Sequence, residues 1–211
     1  MNKIPKIKIC GITDKKDALE VAKLKPDYLG FIFYSKSQRF VKPGLAKEII
    51  SNARKLPKNK ILFVGVFVDQ SIKEVKQIIK TCGLDVAQLH GRETPKYVVE
   101  LKKICKKNCE VWKTIIIKSK EDMQKVRIYR EVADKILFDR GLGSGKTVDL
   151  SVIRRETIDI LAGGLGVGNI KSILNRVSPG IVDANSKLEL SPGRKEISSV
   201  KEFIKKARQI K

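Results

Sequence analysis

Cys10 has the strongest claim to chemistry in this chain: the segment KIKICGIT, residues 6 to 13, carries it from a short β-type run straight into a turn at Gly11. A thiol becomes reactive as its thiolate, so a cysteine placed this way is a candidate nucleophile, proton acceptor or metal ligand. Ile7 and Ile9 alternate as one buried face, and Thr13 or Asp14 followed by charged residues opens a helix pattern just after the turn. Cys10 therefore falls at the carboxyl end of a strand, the end at which parallel α/β proteins carry their active sites. Burial as an inert core thiol is the competing reading, because free cysteine is among the most buried residue types.

Metal chemistry finds little support. Cys10, Cys82, Cys105 and Cys109 form no CxxC pair, and the single histidine, His90, is distant in sequence from them. The cysteines also lack the density of a disulfide framework, so reduced thiols are expected. Two glycine loops resemble nucleotide sites and fall short. DRGLGSGKT, residues 139 to 147, has Arg140 where a P-loop needs its first glycine, and LAGGLGVGN, residues 161 to 169, has Asn169 where a dinucleotide fingerprint needs its third.

The elements that must position these residues alternate along the whole chain. Strand-like runs fall near 6–10, 28–33, 60–67, 86–89, 110–117, 135–139, 158–162 and 181–184, and helix-like runs near 14–24, 43–52, 71–81, 95–107, 120–131, 149–155, 167–176 and 198–210. Pro43 and Pro95 suit first helical turns, Asp69, Ser71 and Ser198 suit caps, and Gly83 suits a helix stop. Eight such units predict an α/β fold of the (β/α)8 TIM-barrel class, a single domain over 1–211, with a doubly wound open sheet as the alternative. In a barrel the loops after strands seven and eight commonly hold a phosphate. Gly163 and Gly164 follow the seventh strand here and VDANS, 182 to 186, ends the eighth, so an anionic phosphorylated small molecule is the expected substrate. Tight turns alone would also explain the glycines.

Composition narrows the class further. With 42% hydrophobic residues in 211, the chain can bury a large core, and its apolar run ILFVGVFV, 61 to 68, is too short to span a membrane. The opening MNKIPKIKICG enters a strand pattern without the apolar core and cleavage site of a secretory signal, so the cytoplasm is expected. The formal charge of +22 raises nucleic acid as a partner, yet residues 1 to 105 hold 22 basic and 10 acidic side chains and the remainder 23 and 13. With no basic tail, nucleic acid is the weaker expectation and attraction of an anionic metabolite the stronger.

Seven motifs, in order, match one family: KICGIT (8–13), SQRF (37–40), VGVFV (64–68), QLHG (88–91), LFD (137–139), LAGGL (161–165) and VDANSKLE (182–189). The chain resembles the phosphoribosylanthranilate isomerases of tryptophan biosynthesis, from the first strand to PGRK at 192 to 195. That resemblance implies an Amadori rearrangement without metal or cofactor. It makes Cys10 the general base and Asp139 the general acid, each of a kind that contributes ~10²–10⁴-fold. It gives Arg39 the anthranilate end, with a surface ion pair as the alternative, and gives Asp183 the substrate nitrogen, with a loop cap as the alternative. His90 either lines the pocket or only holds a loop. Asn185 and Ser186, with the backbone of Gly163 and Gly164, are the phosphate candidates. The chemistry sets two demands: a thiol with a reference pKa of about 8.5 needs nearby positive charge, and a carboxyl near 3.9 needs burial or a neighbouring anion to keep its proton.

One departure stands out: many members read SSG where this chain has Asn185, Ser186 and Lys187. Lys187 either strains a positive-φ position or adds a phosphate contact. The rivals are the related histidine-pathway isomerase or a dual-substrate version, which use aspartate on the first strand, and a basic nucleic-acid-binding module. A metal-dependent epimerase would need more histidine. A monomer and a homodimer are equally compatible with the sequence.

Overall fold

All eight expected strands pair in parallel, and the eighth returns to the first to close the barrel. The structure is a computed structural model that describes residues 4–57, 60–105, 108–141, 149–153 and 157–209. In chain order the units are β1 (Lys6–Ile9) and α1 (Lys15–Lys23), β2 (Tyr28–Ile32) and α2 (Pro43–Arg54), β3 (Leu62–Phe67) and α3 (Ile72–Cys82), and β4 (Val86–Leu89) and α4 (Pro95–Cys105). They continue with β5 (Glu110–Ile116) and α5 (Asp122–Arg130), β6 (Lys135–Asp139) and α6 (Leu150–Ile153), β7 (Ile160–Leu161) and α7 (Ile170–Leu174), and β8 (Ile181–Ala184). A 3-10 turn over Ser186–Leu188, a two-stranded hairpin of β9 (Glu189–Ser191) and β10 (Arg194–Lys195), and α8 (Ile197–Arg208) complete the chain.

Helix ends follow the expected chemistry at several points. Asp14 caps α1 by accepting from the Asp17 N–H, Ser71 and Glu74 form a reciprocal capping box on α3, and Gly83 ends α3 in the left-handed conformation. Pro43 and Pro95 each open a helix. Asp69 and Ser198 are not caps. Asp69 occupies a turn at φ +54 and accepts from the Arg92 N–H, while α8 begins one residue before Ser198. The seventh unit is shorter than expected: β7 stops at Leu161 because Gly163 and Gly164 turn the chain at φ +88 and +60. The DRGLGSGKT segment from residue 142 on lies outside the described residues.

Strand parity sorts the side chains. Ile7 and Ile9 join the large core between sheet and helices. The inward positions Tyr28, Val64, Val86, Trp112, Leu137, Ile160, Ala162 and Ile181 form a second, central cluster, in which Tyr28 meets Trp112 edge-on at 5.1 Å. This apolar plug makes the barrel a packed core with side chains free to face outward at its carboxyl end. Among the described residues no helix is long and apolar enough to cross a membrane.

Candidate functional site

A cavity of about 600 Å³ opens at the carboxyl ends of the strands, and all nine residues singled out from the sequence line it: Cys10, Arg39, His90, Asp139, Gly163, Gly164, Asp183, Asn185 and Ser186. Cys10 lies one residue past β1 on the inward parity, with its N–H donating to the Ala184 carbonyl at 2.9 Å. Space for its thiol comes from Gly30 on β2, where a Cβ would stand 2.6 Å from Cys10 Sγ. Gly11 turns at φ +78, and a side chain there would collide with Asn185 Oδ1 and the Arg39 stem. Both demands are met only without a side chain.

Beneath the cavity runs a buried polar chain. Lys8, fully buried and two residues before Cys10 on the same face, donates to Asp183 Oδ2 at 2.6 Å and to Gln88 Oε1 at 2.8 Å. The Gln88 amide reaches His90 Nδ1 at 3.3 Å, and His90 Nε2 lies 3.8 Å from Asp139 Oδ2. An amide donor at Nδ1 leaves the imidazole proton on Nε2, facing Asp139. Asp139 ends β6, and its Oδ1 accepts from the Gly141 N–H at 3.2 Å. Asp183 Oδ1 is buried with no hydrogen-bond partner among the described residues.

Burial and these charges set the protonation states. Burial pushes the Cys10 thiol up, Lys8 pulls it down, Asp183 pushes it up again, and Lys195 adds a further downward pull, leaving it raised. Asp139 is raised chiefly by burial, opposed by the Gly141 N–H and reinforced by Asp183. His90 is pushed down to about 4 by burial and then by Lys8 and Lys113, so it is neutral near pH 7. Burial disfavours the Lys8 ammonium, but Asp183 and Cys10 together outweigh it and hold Lys8 charged.

Arg39 does form an ion pair, within the cavity wall. Its Nε and Nη2 grip Glu189 at 2.8 to 3.1 Å. Lys187 avoids the strain considered for it: it is not among the residues with positive φ, and its Cβ packs over Gly166. Its side chain is exposed, and it does not line the cavity. Among the described residues no three His, Cys, Asp or Glu side chains gather as a metal site.

Sequence reasoning missed Lys8, Gln88, Glu189 and Lys195. Lys8 carried a readable signal. Parallel strands are covered on both faces, so a lysine alternating with Ile7 and Ile9 had to point into the barrel with Cys10.

A family model and the similar proteins above 25% identity point to one family. A family model described as N-(5'phosphoribosyl)anthranilate (PRA) isomerase matches residues 7–206. The chain is similar to the N-(5'-phosphoribosyl)anthranilate isomerase of Thermoanaerobacter sp. (strain X514), with 37% identity over 212 residues, 98% of this chain and 99% of the relative. It is also similar to the solved phosphoribosyl anthranilate isomerase of Thermotoga maritima, with a TM-score of 0.85, 35% identity, and coverage of 98% of this chain and 100% of that one. Another similar structure, at TM-score 0.83 and 34% identity with the same coverage, is of a phosphoribosyl anthranilate isomerase in complex with reduced 1-(o-carboxyphenylamino)-1-deoxyribulose 5-phosphate. With the match running through all eight strands and the cavity they surround, the chain belongs to the N-(5'-phosphoribosyl)anthranilate isomerase family.

Proposed function

We propose that this chain, acting as one catalytic domain, converts N-(5-phosphoribosyl)anthranilate into 1-(2-carboxyphenylamino)-1-deoxyribulose 5-phosphate, a step of tryptophan biosynthesis in the cytoplasm. The observation that carries the proposal is the meeting of Cys10 and Asp139 in one mouth whose wall also holds Arg39 and the Gly163–Gly164 and Asn185–Ser186 loops. Asp139 delivers its proton to the furanose oxygen as the C1–O bond breaks and the anilino nitrogen forms the iminium. The Cys10 thiolate then takes the C2 proton, and the resulting enolamine ketonises to the product. No atom is gained or lost, and neither acid nor base needs a cofactor.

The remaining groups fit the two ends of this substrate. Arg39 faces the anthranilate carboxylate. Asp183 Oδ1, a buried acceptor, takes the anilino N–H, and a hydrogen bond there satisfies an atom whose burial is otherwise unfavourable. The loops after β7 and β8 offer backbone and side-chain donors to the phosphate. Neutral His90 donates from Nε2 toward Asp139 and stabilises its carboxylate once the proton has left.

Loss of phosphoribosylanthranilate fluorescence with purified protein tests the activity. Cys10→Ala and Asp139→Ala should each lower kcat by ~10²–10⁴-fold while the circular dichroism of the fold is retained. Near-normal turnover in either variant removes that residue from its assigned role, and absence of turnover in the unaltered protein removes the function.

A further inference from the structure

The hairpin of β9 and β10 lies outside the barrel, yet it sends two buried charges into the wall of the cavity. Glu189 and Lys195, with side chains 3% and 0% exposed, meet at 2.8 Å between Lys195 Nζ and Glu189 Oε1. Buried ion pairs contribute little net stability, so this pair is better understood by what it holds. Glu189 takes Nε and Nη2 of Arg39, which leaves Nη1 without a partner among the described residues. Lys195 donates to Asn185 Oδ1 at 2.9 Å and approaches the Asn185 carbonyl at 3.4 Å. A lysine has only donors, so the Asn185 carbonyl oxygen must face it and the Nδ2 amide must turn away. That amide too has no partner among the described residues.

We propose that the Glu189–Lys195 pair is a positioning element that aims the remaining donors of Arg39 and Asn185 at the two anionic ends of the substrate, a reading that rests on the function proposed above. The hairpin is fixed to the first unit of the barrel for this purpose. Thr13 Oγ1 donates to the Gly193 carbonyl at 2.6 Å, and Asp17 Oδ2 accepts from the Lys195 N–H at 2.9 Å and from Arg194 Nε at 3.2 Å. Gly11 lets Asn185 and Arg39 close on the same point. The turn after β1, the start of α1 and the hairpin thus form one block that carries Arg39 and Asn185 in fixed relation to Cys10. The three charges sum to one positive, which suits an anion while keeping each buried member paired.

Competitive inhibition by anthranilate and by inorganic phosphate separates the two ends. Glu189→Gln should release the Arg39 fork, raising KM and the anthranilate inhibition constant about tenfold, the scale set by freeing one long side chain, with phosphate inhibition and kcat little changed. Lys195→Met should do the reverse, weakening phosphate about tenfold and anthranilate far less. A merely structural hairpin would weaken both probes together or neither, and either pattern overturns the inference. Should the single variants not fold, Glu189→Gln with Lys195→Met removes both buried charges at once. Weakening of both probes with Tm unchanged is then expected, and retention of either probe, or a loss of both that follows a lowered Tm, overturns it. Arg39→Ala is the control: if it leaves anthranilate inhibition unchanged, the role of Arg39 in the proposed function fails, and if it weakens anthranilate while Glu189→Gln does not, only the positioning inference fails.

Discussion

Replacing Gly30 by alanine adds a single methyl group in the middle of β2, and the structure places that methyl against the proposed base. Gly30 has no positive φ, so its backbone accepts alanine, and the perturbation is purely one of contact. The new Cβ would stand 2.6 Å from Cys10 Sγ, 3.2 Å from Cys10 Cβ and 3.1 Å from Cys10 Cα. The backbone cannot retreat far, because the Cys10 N–H is bonded to the Ala184 carbonyl and the Ile12 N–H to the Gly30 carbonyl. The thiol has to move instead, from 2.6 Å to at least the 3.4 Å of ordinary contact, a displacement of roughly 0.8 Å. A misplacement of about 1 Å at a reacting group costs on the order of 10²-fold, so kcat should fall by about that factor. Arg39 and the phosphate loops are untouched, so KM should change little. Overpacking should cost about 1–3 kcal/mol, enough to lower Tm by several degrees without unfolding the protein at 25 °C. Steady-state kinetics and thermal unfolding, repeated in a Cys10→Ala background, isolate the coupling: there Gly30→Ala should take nothing further from the residual rate. A folded Gly30→Ala protein with kcat within about threefold of the original would refute the reasoning, since a thiol that tolerates this displacement is not the group whose position sets the rate.

Two predictions concern protons. The chain has one histidine, so its imidazole resonance needs no mutagenesis to assign, and it should titrate near about 4 where an exposed histidine titrates near 6.5. Because the folded value lies below the unfolded one, the unfolded chain takes up the proton first, and stability should decline as pH falls from about 6.5 toward about 4; a midpoint of about 6 or higher contradicts the buried, lysine-flanked setting. Since the step needs one proton shared between Cys10 and Asp139, kcat/KM should be bell-shaped, with activity lost at low pH where both are protonated and at high pH where both are ionised, and burial of both moves the whole bell upward. A basic limb falling below about pH 8 would contradict the raised thiol.

The barrel was legible because each unit repeats the same local signals. Four of its helix ends, at Pro43, Ser71, Gly83 and Pro95, could be named from residue type alone, and the start of α1 was narrowed to Thr13 or Asp14. A strand end marked Cys10, while Asp139 and Asp183 were marked by the family resemblance and only then placed at strand ends that a barrel brings into one mouth. The hairpin at Glu189–Lys195 was not legible as structure: three residues and two residues carry no measurable alternation, and only Pro192–Gly193, with Gly193 at φ +84, marked a turn. The buried lysines were obscured for a different reason. In a chain with 45 basic residues, Lys8 and Lys195 look like members of a solvated majority, and only strand parity or three-dimensional pairing separates them from it.

Burial raises both Cys10 and Asp139, and the assigned chemistry starts from thiolate and carboxylic acid, one of the two arrangements of a singly protonated pair. Each pK unit of difference between the two groups changes the share of that arrangement tenfold. The Lys8–Asp183 pair acts on both groups in the same productive sense. At Cys10 the Lys8 charge outweighs that of Asp183 and favours thiolate; at Asp139 the order reverses, and Asp183 outweighs Lys8 and favours the acid. One buried ion pair, oriented with its cation beside the base and its anion toward the acid, thus shifts the proton from sulfur to oxygen without changing the total charge of the site. This accounts for a lysine at position 8 better than stability does, because buried ion pairs replaced by apolar side chains often leave a protein no less stable.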